Sequence, residues 1–146
     1  MIKIDIKNQT LELQGKTYFI SSAENGVGEV EGSFCTPTGK FKIAEKIGNG
    51  LEIGSVLVGR VPTGEIYTPE LGKKHPNRDW ILTRILWLDG IEVHNQNTKS
   101  RYIYIHGTPD EVKLSEPGSK GCIRMNNADM MLLFGAVNVG EEIKIR

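Results

Sequence analysis

Short runs in which apolar and polar residues alternate, separated by glycine-containing turns, most limit how this chain can fold. Ile2, Ile4 and Ile6 alternate with charged residues, a period of two that is typical of a strand with one buried face. Further β-rich runs predict strands at 11–13, 17–20, 40–47, 80–88, 101–105 and 142–145. The 17 glycines are scattered without a period, which indicates many turns and excludes a collagen-like repeat. We therefore predict a mainly β chain.

Helix is predicted at one place with a clear start signal. Asn126 or Asn127 can cap a helix in which Asp129 suits the positive first turn and residues 130–134 are helix-compatible. The apolar run at 80–88 is interpreted as a buried strand, and a short helix is its alternative. The expected fold is therefore β-rich with one or two short helices.

Charge and composition exclude several classes of function. The 18 Lys and Arg residues balance the 18 Asp and Glu residues, so the chain lacks the basic surplus with which proteins bind nucleic acid or anionic membranes. No apolar stretch approaches the ~18 residues of a transmembrane helix. Two Cys and three His residues show no zinc-ligand spacing, so we expect no metal or other cofactor. No linker or repeat divides the chain, which predicts a single domain over 1–146.

One C-terminal segment holds residues suited to cysteine chemistry. His106 is expected where the 101–105 strand ends, and Cys122 follows a loop that contains two glycines. A cysteine nucleophile needs a base, because a free thiol with a pKa of about 8.5 is only a few per cent thiolate at neutral pH. His106 could be that base, and a backbone carbonyl near Gly107 could orient it. The alternative is a small buried cysteine and a simple His-Gly turn.

Residues 101–127 resemble the active-site signature of the L,D-transpeptidase catalytic domain. The run R-Y-I-Y-I-H-G-T at 101–108 is followed by S-K-G-C-I-R-M-N-N at 119–127. The segment S-F-C-T-P-T-G-K-F-K-I at 33–43 and the terminal strand after Gly140 also fit that family, so the resemblance covers nearly the whole chain. It implies a β-sandwich-like fold whose cysteine attacks a peptide bond in bacterial cell-wall stem peptides.

The resemblance also assigns roles to individual residues. It implies that Cys122 is the nucleophile, that His106 is the base and that the Gly107 carbonyl orients His106. Gly121 and Cys122 would supply N–H groups to the oxyanion, each well-placed donor being worth about 3–4 kcal/mol. Ser119 would support this loop.

Two basic residues flank the cysteine. Arg124 is expected to brace the loop or to meet a substrate carboxylate. Lys120 stands where the family usually has a second His; it keeps a donor and adds a charge, but it is no base at neutral pH without a large pKa shift. We expect Lys120 to bind substrate or acceptor. Cys35 matches no family role and is expected to pack or to be a surface thiol, and His75 and His94 are expected to be solvated.

The expected reaction is acyl transfer at the L,D bond between the diamino acid and the terminal D-alanine of peptidoglycan tetrapeptide stems. Water as acceptor would make the chain an L,D-carboxypeptidase that trims tetrapeptides to tripeptides during recycling. An amine acceptor would make it a cross-linking transpeptidase, and a non-catalytic module that binds stem peptides is the third alternative. A carbapenem is expected to add covalently at Cys122.

The expected partners are stem peptides or their muropeptide fragments. No apolar signal segment follows Met1. We expect a cytoplasmic protein if Met1 is the native start, and a periplasmic or extracellular one if a signal peptide has been removed. A cytoplasmic location would bring the protein to free tetrapeptide fragments and not to the polymerised wall, so the sequence favours hydrolysis over cross-linking.

Overall fold

The computed structural model describes residues 1 to 146. Ten strands, two α-helices and one 3-10 helix follow one another in this order: β1 (Ile2–Asp5), β2 (Thr10–Leu13), β3 (Lys16–Ser21), β4 (Gly39–Ile47), β5 (Ser55–Val58), β6 (Val61–Ile66), α1 (Pro69–Lys74), β7 (Ile81–Gly90), the 3-10 helix (Val93–Asn95), β8 (Tyr104–Thr108), β9 (Ile123–Asn126), α2 (Asn127–Ala136) and β10 (Glu142–Ile145). None of these helices has the length and apolar character needed to cross a bilayer.

All ten strands belong to one sheet, in the order β4-β10-β1-β2-β3-β9-β8-β7-β5-β6. Because β4 also pairs with β7, eight of the strands form a closed ring, and the β5–β6 hairpin extends from β7. Most neighbours are antiparallel, whereas β1 with β10 and β8 with β9 are parallel. The predicted mainly β, sandwich-like fold is confirmed.

The core lies inside this closed sheet. Nineteen buried side chains form one cluster, which includes three from α2. Ile2 and Ile4 are buried and Lys3 between them is exposed, as the period of two predicts. Burying one such aliphatic side chain stabilises the fold by about 1.5–3 kcal/mol, so the alternation determines which face of each strand points inward.

The predicted helix and most predicted strands are confirmed. Asn126 is the N-cap of α2, and its Oδ1 accepts hydrogen bonds from the N–H groups of Ala128 (2.9 Å) and Asp129 (3.3 Å). Residues 81–90 form a strand rather than a helix. The sequence interpretation missed the β5–β6 hairpin, α1 and β9. Most of β6 is exposed, and α1 has six residues with none buried, so neither shows an apolar period.

The predicted strand at 101–105 is wrong in its bounds. Tyr102 has φ +59°, a left-handed conformation that ends any extended run, so β8 begins at Tyr104. It continues to Thr108, which places His106 at the centre of a paired strand instead of at a strand end. His106 is 1% exposed as a result.

Candidate active site

Parallel pairing of β8 and β9 brings the two candidate catalytic residues to one face of the sheet. Ile105 pairs with Ile123, and both side chains lie in the core. The next pair, His106 and Arg124, therefore faces the other side, since successive side chains alternate. Cys122 immediately precedes β9 and shares the face of Arg124. The structure thus places His106 on β8 and Cys122 immediately before the start of the neighbouring strand β9, on the same face.

His106 is held by its own backbone neighbour. Its Nδ1 lies 2.6 Å from the carbonyl oxygen of Gly107. A carbonyl only accepts hydrogen bonds, so Nδ1 carries the ring proton and Nε2 carries the lone pair. Burial lowers the pKa of His106 below 6.5, and the Gly107 carbonyl opposes this shift in part. The imidazole is therefore neutral at neutral pH.

Gly107 is the residue that makes this contact possible. A Cβ at this position would overlap Asn127 Oδ1 and would lie 2.7 Å from the carbonyl oxygen of Leu82. Asn127 is itself fixed, because its Oδ1 accepts a hydrogen bond from Thr83 Oγ1 at 2.7 Å. Only glycine fits without a shift of the backbone, and the peptide carbonyl that orients His106 depends on that fit.

The Cys122 thiol lies between two backbone groups at the start of β8, one of Tyr104 and one of Tyr102. The N–H of Tyr104 donates to Cys122 Sγ at 3.4 Å, and Sγ donates to the carbonyl of Tyr102 at 3.4 Å. The side chain packs against a small buried cluster that includes Leu57 and Ile85. Burial raises the pKa of Cys122 to about 12, and the Tyr104 N–H opposes this in part. At rest the residue is a neutral thiol.

The loop before Cys122 is held together by Ser119. Its buried Oγ donates to the carbonyl of Cys122 at 2.5 Å and accepts from the N–H of Gly121 at 3.2 Å. Gly121 has φ +129°, and its carbonyl accepts from Thr36 Oγ1 at 2.9 Å. The N–H of Gly121 can therefore meet an oxyanion only after its bond to Ser119 breaks. The N–H of Cys122 donates to no protein acceptor.

Arg124 braces the same loop. Its Nη1 donates to the carbonyl of Gly118 at 3.1 Å, and its Nη2 lies 3.4 Å from Asp79 Oδ1. Asp79 is half exposed, so the ion pair contributes little to stability, about 0–1 kcal/mol. Lys120 is exposed and lines a cavity of about 400 Å³ together with Tyr102 and Asp79. Of the two roles expected for Arg124, the geometry shows the contact to the loop.

Comparison with protein families shows which family this chain belongs to. A family model for the L,D-transpeptidase catalytic domain matches residues 1–145. The chain belongs to this family. No curated protein matches the chain.

Solved L,D-transpeptidase structures share this fold. One from Xylanimonas cellulosilytica superposes with a TM-score of 0.60 at 18% identity, covering 99% of this chain and 59% of that one. L,D-transpeptidase 3 from Mycobacterium tuberculosis, in complex with a faropenem-derived adduct, gives 0.61 at 17% identity, with coverage of 99% and 59%. A variant of the Enterococcus faecium L,D-transpeptidase gives 0.56 at 20%, with 99% and 48%. This chain thus spans about three-fifths or less of these proteins.

Cys35, His75 and His94 are the remaining cysteine and histidines of this L,D-transpeptidase family chain, and the sequence predicted no catalytic role for them. Cys35 is a free, half-buried thiol whose Sγ lies 3.5 Å from the carbonyl oxygen of Asn25, so it is not bonded to Cys122. His75 and His94 are exposed, and neither hydrogen-bonds to the site. No group of three His, Cys, Asp or Glu side chains is arranged to hold a metal ion.

The sequence predicted that the Gly107 carbonyl orients His106, but it missed the residues that position the thiol and the contact that Asn127 makes with Gly107. Tyr102 and Tyr104 act through main-chain atoms, and these leave no signal in residue type. Asn127 was noted only as a possible helix cap, although its side chain packs on Gly107. The left-handed conformation of Tyr102 also has no signature in the sequence, because Gly or Asn is the usual residue there.

Proposed function

We propose that this L,D-transpeptidase family domain catalyses cysteine-dependent acyl transfer at the L,D bond between the diamino acid and the terminal D-alanine of a peptidoglycan tetrapeptide stem. One observation carries the proposal. The 2.6 Å contact between His106 Nδ1 and the Gly107 carbonyl leaves the lone pair on Nε2, on the sheet face that Cys122 shares. A base in the correct tautomer beside a thiol is the arrangement that nucleophilic catalysis needs.

The first half of the reaction forms a thioester. His106 Nε2 takes the proton of the Cys122 thiol as Sγ attacks the carbonyl carbon at the L-centre of the diamino acid. The negative charge on the carbonyl oxygen meets the free N–H of Cys122. The C–N bond then breaks, and D-alanine leaves with the proton that His106 returns to its nitrogen.

The resting protonation states support transfer of the proton during the attack. Burial keeps the pKa of Cys122 near 12 and the pKa of His106 below 6.5, so thiol and imidazole are both neutral at neutral pH. A neutral imidazole can accept a proton and a neutral thiol can give one. The pair therefore works as a general base and a nucleophile, with no stable thiolate–imidazolium pair before substrate binds.

Two acceptors can complete the reaction. Water releases a tripeptide, which is the L,D-carboxypeptidase outcome that the sequence favoured. The side-chain amine of a second stem peptide gives a cross-link, the transpeptidase outcome. One observation favours the amine. A cavity of about 440 Å³ lies at the Asn126–Asn127 end of the same sheet face. Asp110 and Glu111 line it, and no Lys, Arg or His does. Its negative charge suits an ammonium group.

Incubation with purified disaccharide tetrapeptide tests the proposal and separates the acceptors. We expect loss of one alanine from the substrate, with either tripeptide or cross-linked dimer as the product, measured by mass spectrometry. Cys122→Ala should yield neither product, and Cys35→Ala should behave as the wild type. Unchanged substrate with wild-type protein would refute catalysis and leave a module that only binds stem peptides.

A carbapenem tests the nucleophile independently of the acceptor. Because it presents a strained acyl group, it should add once to the wild type and to Cys35→Ala, and not to Cys122→Ala. The intact mass before and after exposure reports the adduct. A wild-type mass that stays unmodified after prolonged exposure would contradict a competent nucleophile at Cys122.

A further inference from the structure

A single arginine outside the catalytic strands contacts three aromatic rings near Cys122. Arg60 lies in the turn between β5 and β6 and has φ +66°. Its Nη1 donates to the hydroxyl of Tyr104 at 2.9 Å. Its guanidinium carbon lies 4.6 Å from the ring centroid of Trp87 and 5.1 Å from that of Tyr102. These distances are those of cation–π contacts.

Two of the three rings belong to the residues that hold the thiol. The main-chain N–H of Tyr104 donates to Cys122 Sγ, and the main-chain carbonyl of Tyr102 accepts from it. Tyr104 is the first residue of β8, so its amide lies at the boundary between the strand and the preceding turn. Arg60 is thus one contact away from both hydrogen bonds of the sulfur.

Tyr102 is strained and needs support. It has φ +59°, which is unfavourable for a large side chain, and the residue is 55% exposed. Its carbonyl points at Cys122 only while this conformation is kept. Two contacts tie the Tyr102 ring to the body of the protein: Arg60, which lies over the faces of Tyr102 and Trp87, and the Trp87 ring itself, whose centroid is 6.1 Å from that of Tyr102. Strained backbone of this kind persists where surrounding contacts enforce it, and it is concentrated at functional sites.

We propose that Arg60 is a positioning residue for Cys122, which acts by fixing the backbone of Tyr102 and Tyr104 around the sulfur. The significance of this role for catalysis rests on the proposed function, in which Cys122 is the nucleophile. The contacts themselves do not depend on it.

The surrounding charges show that Arg60 acts through the tyrosines. The charged groups that act on Cys122 are Asp79, before β7, which raises its pKa, and Arg124, on β9, which lowers it; His106 on β8 is neutral. Arg60 itself interacts with Tyr104, Tyr102 and, more weakly, Glu45. Its effect on the sulfur should therefore follow the geometry of the two backbone groups.

The sign of the effect follows from the strengths of the two hydrogen bonds. The thiol is a weak donor to the Tyr102 carbonyl, whereas a hydrogen bond from the Tyr104 N–H to the thiolate is charge-assisted and roughly twice as strong as a neutral one. When both are loosened while the sulfur stays buried, the loss of the second dominates. The thiol pKa then rises, and the rate of thiolate reactions at a given pH falls.

Alkylation by iodoacetamide in a Cys35→Ser background measures this directly, because only one thiol remains. The rate is followed between pH 7 and pH 10 by intact mass for the parent, Arg60→Met, Arg60→Lys and Tyr104→Phe. Lys99→Met is the matched control, because Lys99 also lies over Trp87, at 4.9 Å, but contacts neither tyrosine through its side chain. Thermal unfolding of each variant monitors folding.

We expect Arg60→Met to be alkylated roughly three- to tenfold more slowly across the whole range. Tyr104→Phe keeps every charge and should also be alkylated more slowly than the parent. The alkylation rate of Arg60→Lys should lie between those of the parent and Arg60→Met. Lys99→Met should be alkylated at the parent rate. Parent rates for both Arg60→Met and Tyr104→Phe would overturn the proposal, and Tyr104→Phe remains informative if Arg60→Met does not fold. Failure of the parent to form a carbapenem adduct would refute the proposed function alone, since iodoacetamide needs only the thiol.

Discussion

His106 and Cys122, the proposed base and nucleophile, are held in different ways. His106 lies at the centre of β8, a strand paired on both sides, and its ring bonds to the carbonyl of the next residue. Cys122 lies outside the strands, at the end of a loop that Ser119 and Arg124 tie down with hydrogen bonds. The base is positioned by packing and the nucleophile by polar contacts. Substitutions around His106 should therefore lower activity because the new side chain does not fit, whereas substitutions around Cys122 should lower it because the loop becomes mobile.

Removal of either reacting group should have the largest effect. Cys122→Ala should abolish thioester formation, because no sulfur remains to attack, and His106→Gln should reduce it by about 10³-fold or more. The measurement is the rate of adduct formation with a carbapenem. A His106→Gln variant that forms the adduct at the wild-type rate would contradict a role for His106 as the base.

Packing around the base predicts the next effect. Gly107→Ala should destabilise the fold by about 1–3 kcal/mol, because the new methyl group meets Asn127 and the Leu82 carbonyl. Its adduct formation should fall as well, because the carbonyl that orients His106 must move. Denaturant unfolding gives the free energy.

Gly135→Ala is the control for this substitution. Gly135 lies in α2 with open space around its Cα, so alanine should stabilise by up to about 1 kcal/mol. Equal stability of Gly107→Ala and the wild type would contradict positioning of the base by packing.

The polar contacts around the nucleophile predict a smaller effect on stability and a clear one on rate. Ser119→Ala removes two hydrogen bonds within the loop and should cost about 1–2 kcal/mol of unfolding free energy. Adduct formation should fall roughly tenfold, through the maximal rate and not through inhibitor affinity. Ser100→Ala, which loses one exposed hydrogen bond to the Asn97 carbonyl, is the control and should change neither quantity. A Ser119→Ala variant with the wild-type rate would show that the loop keeps its shape without these bonds.

The pH dependence should give the smallest effect. The pKa of His106 lies below 6.5, because burial disfavours its protonated form, so the base stays unprotonated to lower pH than a free histidine. The rate of adduct formation should therefore fall only below pH 6.5. Asp79 raises the pKa of His106, and Asp79→Asn should shift this midpoint lower still. A midpoint above 6.5 would contradict a buried neutral base.

Much of the fold could be predicted, because apolar side chains are buried and polar ones are exposed, and their order in the sequence therefore indicates the faces of strands and helices. Alternation in 2–6 and 142–145 predicted strands that the structure confirms, and Asn126 predicted the start of α2. The bounds predicted for the 101–105 strand were wrong, because Tyr102 adopts a left-handed conformation that its β-favouring residue type does not indicate. The β5–β6 hairpin was missed for a related reason, since β6 is held by pairing with β5 and not by a buried face.

The sequence by itself determined the family signature, the alternating faces of the sheet and the identity of the thiol and the imidazole, because these depend on residue type and spacing. Only the tertiary structure decided what holds the thiol. The Tyr104 N–H and the Tyr102 carbonyl are main-chain atoms that every residue carries, so their roles follow from register and conformation. Arg60 contacts Tyr104 across 44 residues, and this contact exists only once β7 has paired with both β5 and β8.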